Sequence, residues 1–537
     1  MSFFAKRPDN LGVHDGHLAA CPDKPNCVCS DVDDPAHEIE PIRYSGSVDE
    51  AMGRLRKVLG EQPRTTIVSE DGNYIHAECR SLIFRFVDDV EFYVDPEAGV
   101  IQVRSASRSG HSDFGVNRSR VETIRAEFDQ ESPAGNPAAD VPTAPNWPQW
   151  RGPTRDGKIA ETTWPERLTE QNLEKLWSKP LGPSYSGPIV SEDRVFVTET
   201  KDEAYEVVRA LDRATGEEVW STEWNGSLEV PFFAKANGDW IRSTPAYDGE
   251  RLYVAGMRDV LVCLDAATGD EVWKIDFVEQ LKTPVPDFGF VCSPLVEGEY
   301  VYVQAGAAVV KIDKRTGEII WRSLDDGGGM FGSAFSSPVL AELNGQQQLV
   351  VQTRTTLAGI DPENGDVLWS QEVPAFRGMN ILTPTIIDDA VFTSSYGGKT
   401  FLFDTPEVSS ETGEADQVWV NKSQGYMSSP VVIGNHIYLH LKNQRFTCID
   451  LSTGESTWTT TPFGKYWSMV VNGDRILALD EKGDLLLIKA NPEEFELIDK
   501  LHISDESTWA HLAISGDEIF VRELRGISVY RWSEGAE

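Results

Sequence analysis

The chain has 537 residues and a formal charge of -37, from 86 acidic against 49 basic side chains. A surplus of that size repels a phosphate backbone, so nucleic acid is not an expected partner. No run of about 18 apolar residues occurs, so no transmembrane segment is expected, and the length calls for two domains or one small domain beside a large closed architecture.

Residues 16 to 30, GHLAACPDKPNCVCS, hold three of the seven cysteines. Leu18-Ala19-Ala20-Cys21 has the form of a lipobox, the site of cysteine acylation, yet the residues ahead of it lack the apolar core that a signal peptide needs. The chain therefore reads as cytoplasmic, or as periplasmic or envelope-associated where the true start lies upstream. An odd number of cysteines points the same way, towards a reducing compartment. Cys21, Cys27 and Cys29 with His17 or His37 have the ligand types for zinc, though not a familiar spacing, and Cys21 with Cys27 would suit a disulfide in an exported chain. The expectation is three reduced packing thiols.

Ser47 as N-cap, Glu50 three places on, and Met52, Leu55, Val58 and Leu59 on one side predict a helix over 47–61. Strand-like stretches follow in TTIVSE, YIHAECRS, LIFRFVDDVEFYVD and VIQVRSASR, and NRSRVETIRAEFDQ reads as a closing helix. The result is a small α+β domain over residues 1–129, a sheet covered by two helices. Within it, RSASRSGHSDFGVNRSR gathers Arg104, Arg108, Arg118 and Arg120 with Ser105, Ser107 and Asn117, where strand gives way to helix. Such donors suit a phosphate or carboxylate, with Arg104, Arg108, Asn117 and Arg118 as the candidate site. The competing reading is an internal ion-pair network with Asp88, Asp89 and Glu91.

The stretches NLGVHDGHLAACPDKPNCVCS, DPAHEIEPI, YIHAECRSLIFRFVDDVEFYVD and VRSASRSGHSDFGVNRSRVETIR resemble the family catalogued as domain of unknown function 1499. The resemblance implies no activity. It does make Cys21 part of a folded domain, so that the lipobox match is coincidental.

Residues 130–149, with five prolines and four alanines, read as a linker. From 150 to 537 a repeat dominates, clearest in ALDRATGEEVW, CLDAATGDEVW, KIDKRTGEIIW, GIDPENGDVLW and CIDLSTGESTW, with a weaker copy ending at Trp419. Each unit is preceded by a Ser/Thr-x-Pro-like start and short runs of Val, Ile, Tyr and Phe, giving four strands per unit. The Asp is placed to accept backbone N–H groups of the following turn, the Gly to take positive φ, and the Trp to pack between sheets. Trp220, Trp273, Trp321, Trp369, Trp419 and Trp458 mark six units. A seventh, residues 468–500, has lost its Trp, and an eighth stops after three strands. NLEKLWSKPL, residues 172–181, supplies the missing strand, with Trp177 in place of the others. The expected architecture is an all-β eight-bladed propeller closed by that strand.

The Asp-x-x-Thr-Gly-x-x-x-Trp unit resembles the pyrroloquinoline quinone (PQQ)-like propeller repeat, a family that includes quinoprotein alcohol dehydrogenases and the outer-membrane assembly lipoprotein BamB. Quinoprotein dehydrogenases carry a vicinal Cys-Cys disulfide, and Cys263, Cys292 and Cys448 stand apart here; no calcium-binding set or haem motif can be mapped. No cofactor is therefore expected, neither PQQ nor calcium. Nor does a Gly-x-Ser-x-Gly elbow, a P-loop or a His-Glu-x-x-His motif occur. Arg242, Phe290, Phe335, Asn380, Tyr426, Trp467 and Trp509, with Arg258, Arg354, Lys399 and Lys442, are expected on one channel face. The reading is a non-enzymatic binding or scaffold protein that takes a protein, peptide or anionic ligand there, its partner unknown. The alternative is a quinone-dependent oxidoreductase.

Overall fold

The computed structural model describes residues 7–130 and 146–533, apart from positions 9, 15, 23, 25, 32–36, 38, 40, 45–47, 63, 81–86, 97–99, 109–115, 160–163, 165, 328–334 and 408–411. The chain divides into two compact units, Met1–Asp140 and Val141–Glu537. Ser47, the expected N-cap, lies outside the described residues.

In the first unit, α1 (Val48–Glu61) and α2 (Val116–Gln130) cover one face of an antiparallel sheet. Its strands run Cys27–Cys29, Val100–Ser107, Val87–Asp95, Tyr74–Arg80 and Thr65–Asp71, and Ile42–Arg43 also pairs with Val100–Ser107. Strand alternation turns Ile75, Val90, Phe92, Ile101 and Val103 towards Leu55 and Val58 of α1 and Ile124 and Phe128 of α2. The other strand face carries charge, with His76, Glu78, Asp89, Glu91 and Arg104 all buried. Arg7 caps Glu78 and the Gly12 N–H donates to Glu91, which brings the N-terminal segment onto that face.

Cys21 and Cys27 are joined in a disulfide, with their Cα atoms 5.7 Å apart. The expectation of reduced thiols is corrected at these two positions. The Cys27–Cys29 strand is held in register against Val100–Ser107, and the turns Lys24 N–H to Pro22 O and Asn26 N–H to Lys24 O curl the chain back so that Cys21 reaches Cys27. A zinc set is lost with those two thiolates. Cys29 is free and buried, and burial raises its thiol pKa.

In the second unit, the described residues form eight four-stranded antiparallel sheets. Sheet one comprises Ile189–Val190, Arg194–Lys201, Tyr205–Asp212 and Glu218–Asn225. Sheets two to seven follow in chain order over 246–276, 295–323, 339–372, 385–421, 431–459 and 468–502. Sheet eight takes three strands from the C-terminal end, and its outer strand is Leu173–Pro180, with Trp177 opposite Val529.

The repeat residues are the glue between sheets. Asp265 accepts the N–H groups of Ala267 and Thr268, both at 2.9 Å, and Gly269 reverses the chain at φ +80°. The Trp220 ring of the preceding sheet lies on that turn and donates to Ala266 O at 3.0 Å. A Cβ at Gly269 would stand 2.5 Å from this ring, so the turn needs glycine for space as well as for conformation. The same contact recurs as Trp273 on Lys314 O, Trp419 on Leu451 O and Trp458 on Asn491 O. Trp177 of sheet eight makes it with Arg213 O of sheet one. Trp369 departs from the pattern because the insertion in sheet five brings Gly413 alongside it, and its N–H turns inward to Gln348 instead.

The Ser/Thr-x-Pro starts explain themselves in the same way. Thr244 Oγ1 accepts the Gly187 N–H, Ser293 Oγ that of Thr244, Ser337 Oγ that of Ser293, and Thr383 Oγ1 that of Ser337, at 2.9 to 3.1 Å. Inner strands of neighbouring sheets are thereby stitched together through buried hydroxyls.

The two ends of the stretch read as a linker are built into folded units. Gln130 ends α2, and Trp147, buried, pairs with Val190 of sheet one. From there the chain crosses the inner ends of the sheets. Pro148 O accepts from Tyr247, Arg155 donates to Pro294 O, Arg151 to Pro430 O, and Ile159 N–H to Val471 O, which ties sheets two, three, six and seven to one segment.

Candidate functional site

The sheet starts and the crossing segment enclose a cavity of about 240 Å³. Trp150 lines it from the crossing segment, with the Arg151 and Arg155 guanidinium groups 5.6 and 5.7 Å from its ring. Thr244, Ser293, Ser337, Thr383, Ser429 and Ser468 contribute hydroxyls, one from each of six sheets. His511 completes the polar lining; burial holds its pKa down to about 3, so the imidazole is neutral.

The walls are aromatic. Tyr185 stacks on Trp509 at 4.6 Å, Trp509 meets Tyr466 edge-on at 4.3 Å, and Tyr466, Tyr426 and Tyr396 continue the series at 5.7 and 4.8 Å. On the other side Phe233, Phe288 and Phe335 follow one another at 6.2 and 5.6 Å. Arg377 bridges the two arcs, 5.2 Å over Phe376 and 5.7 Å over Phe233. Burial raises the Tyr185 and Tyr466 phenols to about 12, so both stay neutral donors. Among the described residues the lining holds one cation, Arg242, which donates to Trp240 O and Gly238 O; burial lowers its pKa to about 10, well above neutral. Among the described residues, no carboxylate belongs to the lining.

Of the residues expected on the channel face, the cavity brings together Arg242, Phe335, Tyr426, Trp467 and Trp509. Trp467 is buried and stacks on His440 at 4.6 Å, and Trp509 donates to Glu481. Lys442 is exposed, its Nζ 4.1 Å over the Tyr396 ring. Arg354 is buried 5.4 Å over Phe335 and donates to Arg377 O, while Asn380 donates back to Arg354 O. These two position the Phe376–Gly378 turn. Lys399 and Arg258 are exposed, and Phe290 packs into the core against Phe277. Sequence reasoning missed Trp150, Tyr185, Phe233, Phe288, Tyr396 and Tyr466, and the hydroxyls. The recurring Ser/Thr before each first strand was the available signal for the last.

In the first unit, Arg104 pairs with Glu91 at 2.7 Å and Arg108 with Asp89 and Glu78 at 2.6 Å. Asn117 accepts from Ser105 and donates to Asn26 O, and Arg120 pairs with Asp88. Arg118 is exposed on α2. Arg104 and Arg108 thus face carboxylates of their own sheet, the arrangement of the internal-network reading.

The sheets define a repeat protein with propeller-like neighbours. Residues 204–460 match the family model described as Outer membrane protein assembly factor BamB, and residues 17–128 match the one described as Protein of unknown function (DUF1499), so both resemblances seen in the sequence are present. The chain is 22% identical to the Outer membrane protein assembly factor BamB of Yersinia pestis, over 51% of this chain and 68% of that protein. It is 22% identical to that of Moranella endobia, over 66% and 88%. In structure it resembles the quinohemoprotein alcohol dehydrogenase ADHIIG of Pseudomonas putida HK5, with a TM-score of 0.53 at 12% identity, over 73% of this chain and 81% of that one. That likeness concerns the fold alone.

The cytoplasmic placement is corrected. The relatives are factors of outer membrane assembly, and the Cys21–Cys27 disulfide is a bond that a reducing cytoplasm does not sustain.

Calcium takes six to eight oxygen ligands, with carboxylates prominent among them, whereas the described lining residues offer hydroxyls, phenols, the Asn237 amide and a guanidinium. Cys263, Cys292 and Cys448 are each free and buried.

Proposed function

We propose that this chain is a non-enzymatic binding scaffold whose sheets form an eight-bladed ring, closed by Leu173–Pro180, and whose channel face receives a protein or peptide partner. The observation that carries the reading is the mouth of the cavity. Phe232 is 85%, Phe376 53% and Phe233 48% exposed, a cluster of large apolar side chains continuous with the aromatic walls. Exposed apolar patches of this kind mark interaction surfaces. Cations sit among them, Arg377, Lys442 and Lys465, on a chain that is otherwise strongly acidic. The similarity to outer membrane assembly factors supports a partner that is itself a protein.

A photo-crosslinking amino acid in place of Phe232, followed by mass spectrometry of the adducts from the native cell extract, tests this. A discrete protein adduct is expected, and it disappears when Arg377 and Lys442 are both changed to Glu. Dye-linked alcohol or sugar oxidation on addition of quinone and calcium would overturn the scaffold reading.

A further inference from the structure

The donor pattern of the cavity narrows the partner. The lining hydroxyls form a belt, and each from Thr244 to Thr383 already accepts one backbone N–H from the neighbouring sheet, which engages one lone pair and leaves its proton to donate. Arg242 adds a guanidinium, and Tyr185 and Tyr466 add neutral phenols. Facing them, among the described residues, there is no carboxylate in the lining, and His511 is neutral. Hydroxyl, phenol and guanidinium donors with no acidic group among the described lining residues favour an occupant that carries acceptors or negative charge.

The apolar surface narrows it further. A small molecule inside the cavity would leave Phe232, Phe233 and Phe376 largely in water, since none of the three lines it. An occupant that covers them must run across the mouth. Along that path lie Arg377 between the Phe233 and Phe376 rings, Lys442 over Tyr396, and Lys465 over Tyr466, the last shared with Glu481 at 3.7 Å. Guanidinium and ammonium groups resting on aromatic faces are held in place, ready to meet carboxylates.

We infer that the channel mouth binds an extended acidic peptide segment that inserts one aromatic side chain into the cavity, between Trp509 and Phe335, while its carboxylates meet Arg377, Lys442 and Lys465. This rests on the scaffold reading and specifies its partner. The aromatic anchor finds edge and face partners on all sides, and the backbone carbonyls beside it find the belt hydroxyls and Arg242.

The test uses the full chain and two fluorescein-labelled peptides of Asp, Glu, Gly and Ser, identical except for one central Phe or Ala. Fluorescence anisotropy is expected to show the Phe peptide binding at least about tenfold more tightly than the Ala peptide. Lys442→Glu and Arg377→Glu, both at exposed positions, are each expected to weaken it by about tenfold and to steepen its loss with salt. Equal binding of the two peptides overturns the anchor. Full displacement by free phenylacetate overturns the peptide and leaves a small-molecule site. Sedimentation of the chain with phosphatidylglycerol vesicles, abolished by Phe232→Ser, would assign the patch to a lipid surface instead. A crosslink from position 232 to a protein, with neither peptide bound, sinks this inference and leaves the scaffold reading standing; no crosslink removes both.

Discussion

At the scale of single residues, burial decides more than residue type. Glu206 is buried between sheets one and two, where its carboxyl accepts the Met257 N–H and the Trp224 indole N–H. Desolvation outweighs these bonds and raises its pKa to about 7. Because the folded value lies above the unfolded one, the native state binds the extra proton between about pH 4.5 and 7, and this group's contribution to stability falls as pH rises through that window. The loss is at most about 3 kcal/mol. Glu206→Gln removes the titration but leaves one of the two N–H donors without an acceptor. In urea unfolding followed by tryptophan fluorescence, the wild type is expected to be the more stable at pH 5, with the difference shrinking by pH 8. A difference that is constant with pH would show that Glu206 is ionised throughout. Nothing in the local sequence, YEVVRALD, marks this residue, since only the neighbouring sheet buries it.

At the scale of elements, the repeat shows how far sequence reasoning reaches. Asp265, Gly269 and Trp220 play the parts that their chemistry suggested, because an Asx-turn, a positive φ and a flat ring each impose a local requirement. What the ring packs on was not legible, as it belongs to the next repeat. Trp177 is the sharpest instance. It lies in a strand whose partner, Val529, is some 350 positions away, yet its ring covers Gly216 of sheet one as Trp220 covers Gly269. Trp177→Ala is expected to cost about 3 kcal/mol through the space left over the Gly216 turn. Hydrogen exchange should show the loss in both Gly526–Trp532 and Tyr205–Asp212. A change confined to residues near 177 would mean that the strand frays without holding its neighbours.

At the scale of the whole molecule, two units divide the chain, and their covalent chemistry differs. The disulfide closes a short loop in the first unit only, and removing it is expected to destabilise that unit by about 2 kcal/mol. All 15 tryptophans lie in the second unit, so their fluorescence reports on it alone. Under dithiothreitol the hydrogen exchange of the Cys27–Cys29 and Val100–Ser107 strands should quicken while the tryptophan unfolding transition stays in place. A shift in that transition would show that the units do not unfold separately.

By itself the sequence determined the repeat, its turn chemistry, and the helices and strands of the small N-terminal unit. These follow from local backbone preference and from periodicity, which a chain carries wherever it folds. Tertiary structure alone decided the rest. It brought Cys21 onto Cys27, set Arg104 and Arg108 against carboxylates of their own sheet, and drew residues 146–159 across the sheets to place Trp150 in the cavity. It also gathered Tyr185, Phe233, Tyr466 and Trp509 from positions hundreds of residues apart into one aromatic mouth. Contacts of that separation depend on how successive sheets pack on one another, a quantity that no single repeat contains.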